Sequence, residues 1–138
     1  MFIAGLGTLG QMLTVPMLAQ TPRTTASGVY TEAQAKRGSE VFAKTCVPCH
    51  GDDLKGNDTA PALTGREFES FWNDQPLADL FDRINKTMPQ DAPGSLMPQQ
   101  SADLLAYLLS VMKGPVGSAE LPAKLDELKD IRIAAPKP

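Results

Sequence analysis

The feature that most constrains this chain is the segment Cys46-Val47-Pro48-Cys49-His50, which contains its only two cysteines and its only histidine. A single local thiol pair differs from the several spread-out pairs of a small disulfide-stabilised domain. A zinc site would need four ligands, and His50 lies too close in sequence to the thiols to complete a tetrahedron easily. A redox-active thiol pair should follow a strand in a βαβ unit, and the sequence has no such pattern.

The same five residues are suited to the covalent attachment of haem. The thiols of Cys46 and Cys49 can add to the two vinyl groups of the macrocycle, while the neighbouring imidazole of His50 lies below the iron. We therefore predict one covalently bound c-type haem, with His50 as an axial ligand.

A methionine is the expected second ligand, because the chain has no other histidine and a six-coordinate electron carrier commonly uses a thioether, which raises the potential. Met112 falls inside a predicted helix, where an apolar core contact is the better interpretation. Met88 follows a helix and opens a Pro/Gly-rich loop, whereas Met97 occupies a helix N-cap position before Pro98. We predict Met88 as the ligand, with Met97 as the alternative, and an open site if neither binds.

The composition predicts an all-α fold of four to five short helices and long loops around one haem. Twelve prolines and eleven glycines break the 138 residues into short segments, and no strand pattern can build a sheet. The formal net charge is −3, whereas a nucleic-acid-binding protein usually has an excess of basic residues. Helical signals occur from Thr31 to the cysteine pair, over Glu67–Asn73, from Pro76, from Pro98 and over residues 121–128.

The chain is predicted to divide into four segments. Residues 1–20 are mostly apolar and are interpreted as a signal peptide of an exported, periplasmic protein, or as an N-terminal anchor, in which case the protein contacts the membrane. Residues 21–29 are predicted to be a linker, residues 30–112 a single domain, and residues 113–138 a C-terminal extension packed on that domain.

Residues 30–112 resemble a class I monohaem cytochrome c. The run Pro61-Ala62-Leu63-Thr64-Gly65 is similar to the P-x-L-x-G motif of that family. The resemblance implies that the carbonyl of Pro61 accepts the ring N–H of His50, an interaction that orients a ligating imidazole, and that Leu63 lines the haem edge. Gly38 and Tyr107 resemble the close crossing of the family's first and last helices.

The segment MPQDAPGSLM, which begins at Met88, resembles a bacterial subgroup associated with quinoprotein dehydrogenases, in which the first methionine is the ligand. The resemblance implies a one-electron carrier that is not an enzyme, and redox partner proteins such as a quinoprotein dehydrogenase and a terminal oxidase. A five-coordinate haem enzyme or gas sensor is the alternative. Trp72 is expected either to donate a hydrogen bond to a haem propionate or to lie in the core, and Lys55, Arg83 and Lys86 to be solvated surface residues.

Overall fold

The fold is mostly helical, as predicted. We describe it from a computed structural model over residues 22–136, so the expected signal peptide or anchor over residues 1–20 lies outside the described part. The helices are Glu32–Thr45 (α1), Val47–His50 (α2), Arg66–Trp72 (α3), Leu77–Thr87 (α4), Pro98–Val111 (α5) and Leu125–Leu128 (α6). These are six helices rather than four or five, because the cysteine segment forms a helical turn of its own. None of the helices between residues 22 and 136 combines the length and the hydrophobicity that a membrane span requires.

Helices α1 and α5 cross closely, as the sequence predicted. The side chain of Thr31 caps α1 by accepting a hydrogen bond from the backbone N–H of Gln34 at 3.2 Å. At the crossing, a Cβ on Gly38 would overlap the carbonyl oxygen of Asp103 and lie 2.8 Å from Cβ of Tyr107. The Phe42 and Tyr107 rings extend the contact, with centroids 5.3 Å apart. The crossing fixes the end of α1, where the cysteine segment begins.

Helix α4 uses its apolar stripe as the sequence indicates. The side chains predicted to face the core are all buried: Leu77, Leu80, Phe81 and Ile84. The helix packs against α5 and α6. It ends at Met88, whose extended backbone leaves the helix at the C-cap. The predicted sixth ligand is therefore attached to the end of a well-packed helix.

The two ends of the described chain pair with each other. Arg23–Thr24 (β1) forms a two-residue parallel ladder with Ile131–Arg132 (β2), followed by a 3-10 turn over Thr25–Ser27. Thr25 and Val29 are each only 2% exposed. This buried, paired segment differs from the linker expected over residues 21–29. The difference arises because the C-terminal extension supplies hydrogen-bond partners that a local sequence pattern does not reveal. It also adds a small strand pair to a chain in which no sheet was predicted.

Candidate cofactor site

A cavity of about 610 Å³ lies between the helices, which is within the range of roughly 300–1,000 Å³ found for ligand and cofactor sites. All seven side chains predicted to bind the cofactor contribute to its lining: Cys46, Cys49, His50, Pro61, Leu63, Trp72 and Met88. The remaining walls are mainly apolar and include Phe42, Phe68, Phe71, Leu80, Ile84, Leu104 and Leu108. The fold therefore brings together residues that are spread over more than forty positions of sequence.

The cysteine segment presents its functional side chains from a single turn of helix. Cys46 ends α1 by donating its backbone N–H to the carbonyl of Phe42 at 2.9 Å, and it is also the N-cap of α2. The backbone N–H of His50 donates to the Cys46 carbonyl at 2.9 Å. Because Cys46, Cys49 and His50 stand at i, i+3 and i+4, their side chains leave the same face of this turn. That face lines the cavity.

The imidazole of His50 is buried and held by one hydrogen bond. Its Nδ1 lies 2.8 Å from the carbonyl oxygen of Pro61, and because that oxygen can only accept, Nδ1 carries the proton. In the neutral ring, Nε2 is then left with its lone pair for a metal. The side chain is 7% exposed, so its orientation is fixed by packing as well.

The loop that carries Pro61 is fixed by residues that the sequence interpretation did not single out. The backbone N–H of Gly56 donates to the His50 carbonyl at 2.8 Å. The Asn57 Oδ1 accepts from the backbone N–H groups of Thr59 at 2.8 Å and Ala60 at 3.1 Å. These bonds close the loop directly before Pro61. The Gly-Asn pair is a turn signal in the sequence and could have identified them.

The environment of the thiols argues against the alternatives to haem. Both cysteines are free, and burial, together with the charge of Cys49, raises the pKa of Cys46 to about 11. A redox-active C-x-x-C pair instead has a lowered thiol pKa. For zinc, which needs four ligands, residues 22–136 contain no group of three or more His, Cys, Asp or Glu side chains that could hold a metal.

The methionines considered as sixth ligand occupy different environments. Met88 lines the cavity, one and two helical turns beyond Ile84 and Leu80. Met97 is 62% exposed and is the N-cap of α5, where its backbone N–H donates to Oε1 of Gln100 at 2.9 Å. Met112 is buried in the core at the end of α5, as expected.

Trp72 belongs both to the core and to the cavity wall. It is 7% exposed, and its ring lies edge-on to that of Phe71, with centroids 5.2 Å apart. The guanidinium of Arg83 lies 6.0 Å from the Trp72 ring centroid and also lines the cavity. The Arg83 side chain is exposed, as predicted for a solvated surface residue, although it also borders the cavity.

The residues fit a covalently attached haem. Two free thiols and an imidazole with an available Nε2 stand on one wall, and a thioether stands in the same cavity. Nitrogen and thioether sulfur are the usual axial donors of an electron-transfer haem, and the apolar walls suit its macrocycle.

Comparison with known proteins agrees with this fit. The family model described as "Cytochrome C oxidase, cbb3-type, subunit III" matches residues 33–108. The chain is 30% identical to cytochrome c-551 of Bacillus subtilis over 89 residues, which cover 64% of this chain and 73% of that protein. Its fold is similar to the crystal structure of the sulfane dehydrogenase SoxCD from Paracoccus pantotrophus, with a TM-score of 0.56 and 20% identity. That match covers 90% of this chain but 66% of the other, just under two thirds, and at this identity it shows the fold alone.

Proposed function

This chain belongs to the cytochrome c family, and we propose that it carries electrons one at a time through iron held between His50 and Met88. The cofactor is a covalent c-type haem, for which Cys46 and Cys49 have the attachment spacing. When bound, the haem supplies the one-electron Fe(II)/Fe(III) couple. The single observation that carries the proposed ligation is that Met88 and His50 line the same cavity.

The protein's own residues would set the properties of the iron. The hydrogen bond from His50 Nδ1 to Pro61 increases the electron donation of the imidazole, as partners of a metal-bound histidine generally do. A thioether from Met88 favours the reduced iron and raises the potential. The apolar walls exclude water, and Trp72 is proposed to donate its indole N–H to a propionate.

We propose that the electrons come from a periplasmic dehydrogenase and pass to a respiratory chain that ends in a terminal oxidase. The resemblance of residues 88–96 to a subgroup associated with quinoprotein dehydrogenases supports this. Covalent haem attachment, which takes place outside the cytoplasm, supports the proposed periplasmic location. Mixing the ferric protein with a purified quinoprotein dehydrogenase and its substrate tests the electron donor. Reduction of the haem within milliseconds to seconds is expected, and failure of the haem to become reduced would contradict this donor.

The ligation is tested by the optical spectrum and midpoint potential of the wild type, Met88→Ala and Met97→Ala. We expect the weak far-red band of methionine-ligated ferric haem in the wild type, its loss in Met88→Ala, and a lower potential in that variant. Met97→Ala is the matched control, because it removes the same side chain from an exposed position, and it should leave both properties unchanged.

Two other outcomes would contradict the proposed ligation. Loss of the band in Met97→Ala, with retention in Met88→Ala, would assign the ligand to Met97. A wild type without the band that binds carbon monoxide and cyanide readily would favour the five-coordinate enzyme or gas sensor.

A further inference from the structure

We propose that the C-terminal extension acts as a brace that holds helix α4, and with it Met88, where the methionine sulfur can remain on the iron. The brace is defined as residues 121–135, which lie outside the part matched by the family model. The inference rests on the proposed His50/Met88 ligation.

The brace is joined by hydrogen bonds to the segment directly before α4. The backbone N–H of Asp74 donates to the Ile133 carbonyl at 2.8 Å, and the Ile133 N–H donates to the Gln75 carbonyl at 3.0 Å. Arg132 Nη1 donates to the Asp74 carbonyl at 3.1 Å, and Asn73 Oδ1 accepts from the Ala135 N–H at 3.0 Å. Four hydrogen bonds thus fix the start of the helix whose end carries Met88.

The brace is itself tied to the rest of the domain. Gln34 on α1 is fully buried, and its side-chain amide donates to the Leu121 carbonyl at 3.0 Å and accepts from the Leu121 N–H at 2.7 Å. The hydroxyl of Thr25 accepts from the backbone N–H of Ala134 at 2.9 Å. Because both ends of the brace are anchored, it couples α4 to α1, which leads directly into the cysteine segment.

Helix α4 can transmit this restraint to the ligand. It runs for eleven residues, so a shift at its start displaces its end as a nearly rigid rod. Leu77 at its start and Leu128 on the brace are both fully buried. The backbone N–H of Met88 still donates to the Ile84 carbonyl at 3.1 Å, so the ligand follows the last turn. With the brace loosened, α4 would retain α5 as its main helix contact, and Met88 would hold the iron less firmly.

The test is the cyanide affinity of the ferric, haem-loaded full chain, because cyanide competes with the methionine for the sixth position. We expect the double variant Asn73→Ala/Arg132→Ala to bind cyanide about tenfold more tightly than the wild type, equivalent to about 1.4 kcal/mol of weakened ligation. Both side chains are exposed, so the variant should fold. The far-red band should weaken in the same variant.

Two further variants separate positioning from general stability. Leu128→Ala, which removes a buried contact of the brace, should raise cyanide affinity as well. Tyr30→Phe, which removes a hydrogen bond to the Gly114 carbonyl between residues outside the brace and the cavity lining, should lower thermal stability without changing cyanide affinity. Unchanged affinity in both brace variants, or an equal rise in Tyr30→Phe, would overturn the inference. Absence of the far-red band from the wild type would instead refute the proposed ligation.

Discussion

Replacing Gly38 by alanine tests the central contact of the fold, because two effects of opposite sign compete there. In an exposed helix the change would stabilise by about 1 kcal/mol through helix propensity. At this position the new methyl group would meet the backbone oxygen of Asp103 and lie 2.8 Å from Cβ of Tyr107. Overpacking costs about 1–3 kcal/mol, and a backbone carbonyl cannot escape by changing rotamer. We therefore take the upper end of that cost, about 3 kcal/mol, and subtract the gain of about 1 kcal/mol from helix propensity, which leaves a net loss of about 2 kcal/mol in the free energy of unfolding.

Urea unfolding and thermal melting, followed by circular dichroism of the haem-loaded protein, measure this loss. For a domain of this size, 2 kcal/mol corresponds to a melting temperature lower by roughly 6–12 °C. Glu40→Ala on the exposed side of the same helix is the control, and it should stay within about 0.5 kcal/mol of the wild type. A Gly38→Ala protein as stable as the wild type, or more so, would refute the reasoning, because propensity would then outweigh the steric contact.

Two further variants probe the contacts that hold the C-terminal extension. Gln34→Leu leaves the buried N–H and carbonyl of Leu121 without partners, so the free energy of unfolding should fall by about 2–4 kcal/mol. A decrease below about 1 kcal/mol in urea unfolding would contradict this prediction. Hydrogen bonds from the Arg37 guanidinium lower the pKa of Glu120, so this carboxylate stabilises the fold above its unfolded pKa, and the contribution disappears as pH falls through the folded pKa. Because the Arg37 and Glu120 side chains are both over 40% exposed, Glu120→Gln should lower the free energy of unfolding by less than about 1 kcal/mol at pH 7 and should leave it unchanged in acid. A difference in stability that does not depend on pH would show that the charge of Glu120 is not its cause.

The residues that define the site could be predicted because their signals are local. A C-x-x-C-H segment occupies one helical turn, so its chemistry and its geometry are specified by the same five positions. The capping side chain of Thr31 and the apolar periodicity of α4 are likewise contained within a few residues, and the structure has both. The Gly38 crossing is not local, and the family resemblance was needed to identify its partner helix.

The pairing of the two terminal segments could not be predicted in the same way. Each strand has only two residues, and the partners are separated by more than one hundred positions. The run around Thr25 is polar and resembles a linker, although this side chain becomes buried once Ala134 donates to its hydroxyl. A polar residue satisfied by a distant backbone group leaves no hydrophobic pattern for a sequence interpretation to detect.

The surroundings of the two candidate methionines, Met88 and Met97, help to distinguish the proposed ligand from a residue that only resembles one in sequence. Met97 stands where a polar cap is usual, a substitution that costs about 1 kcal/mol, and Gln100 partly compensates by accepting the Met97 N–H. The Met97 side chain is 62% exposed, and the cavity lining includes Met88 but not Met97. Met88 is the C-cap of α4 through its backbone, but its side chain follows Leu80 and Ile84 at intervals of four and lines the cavity. An apolar side chain at that point gains by contacting the cofactor. The helix period thus supports Met88 independently of the motif that begins with it.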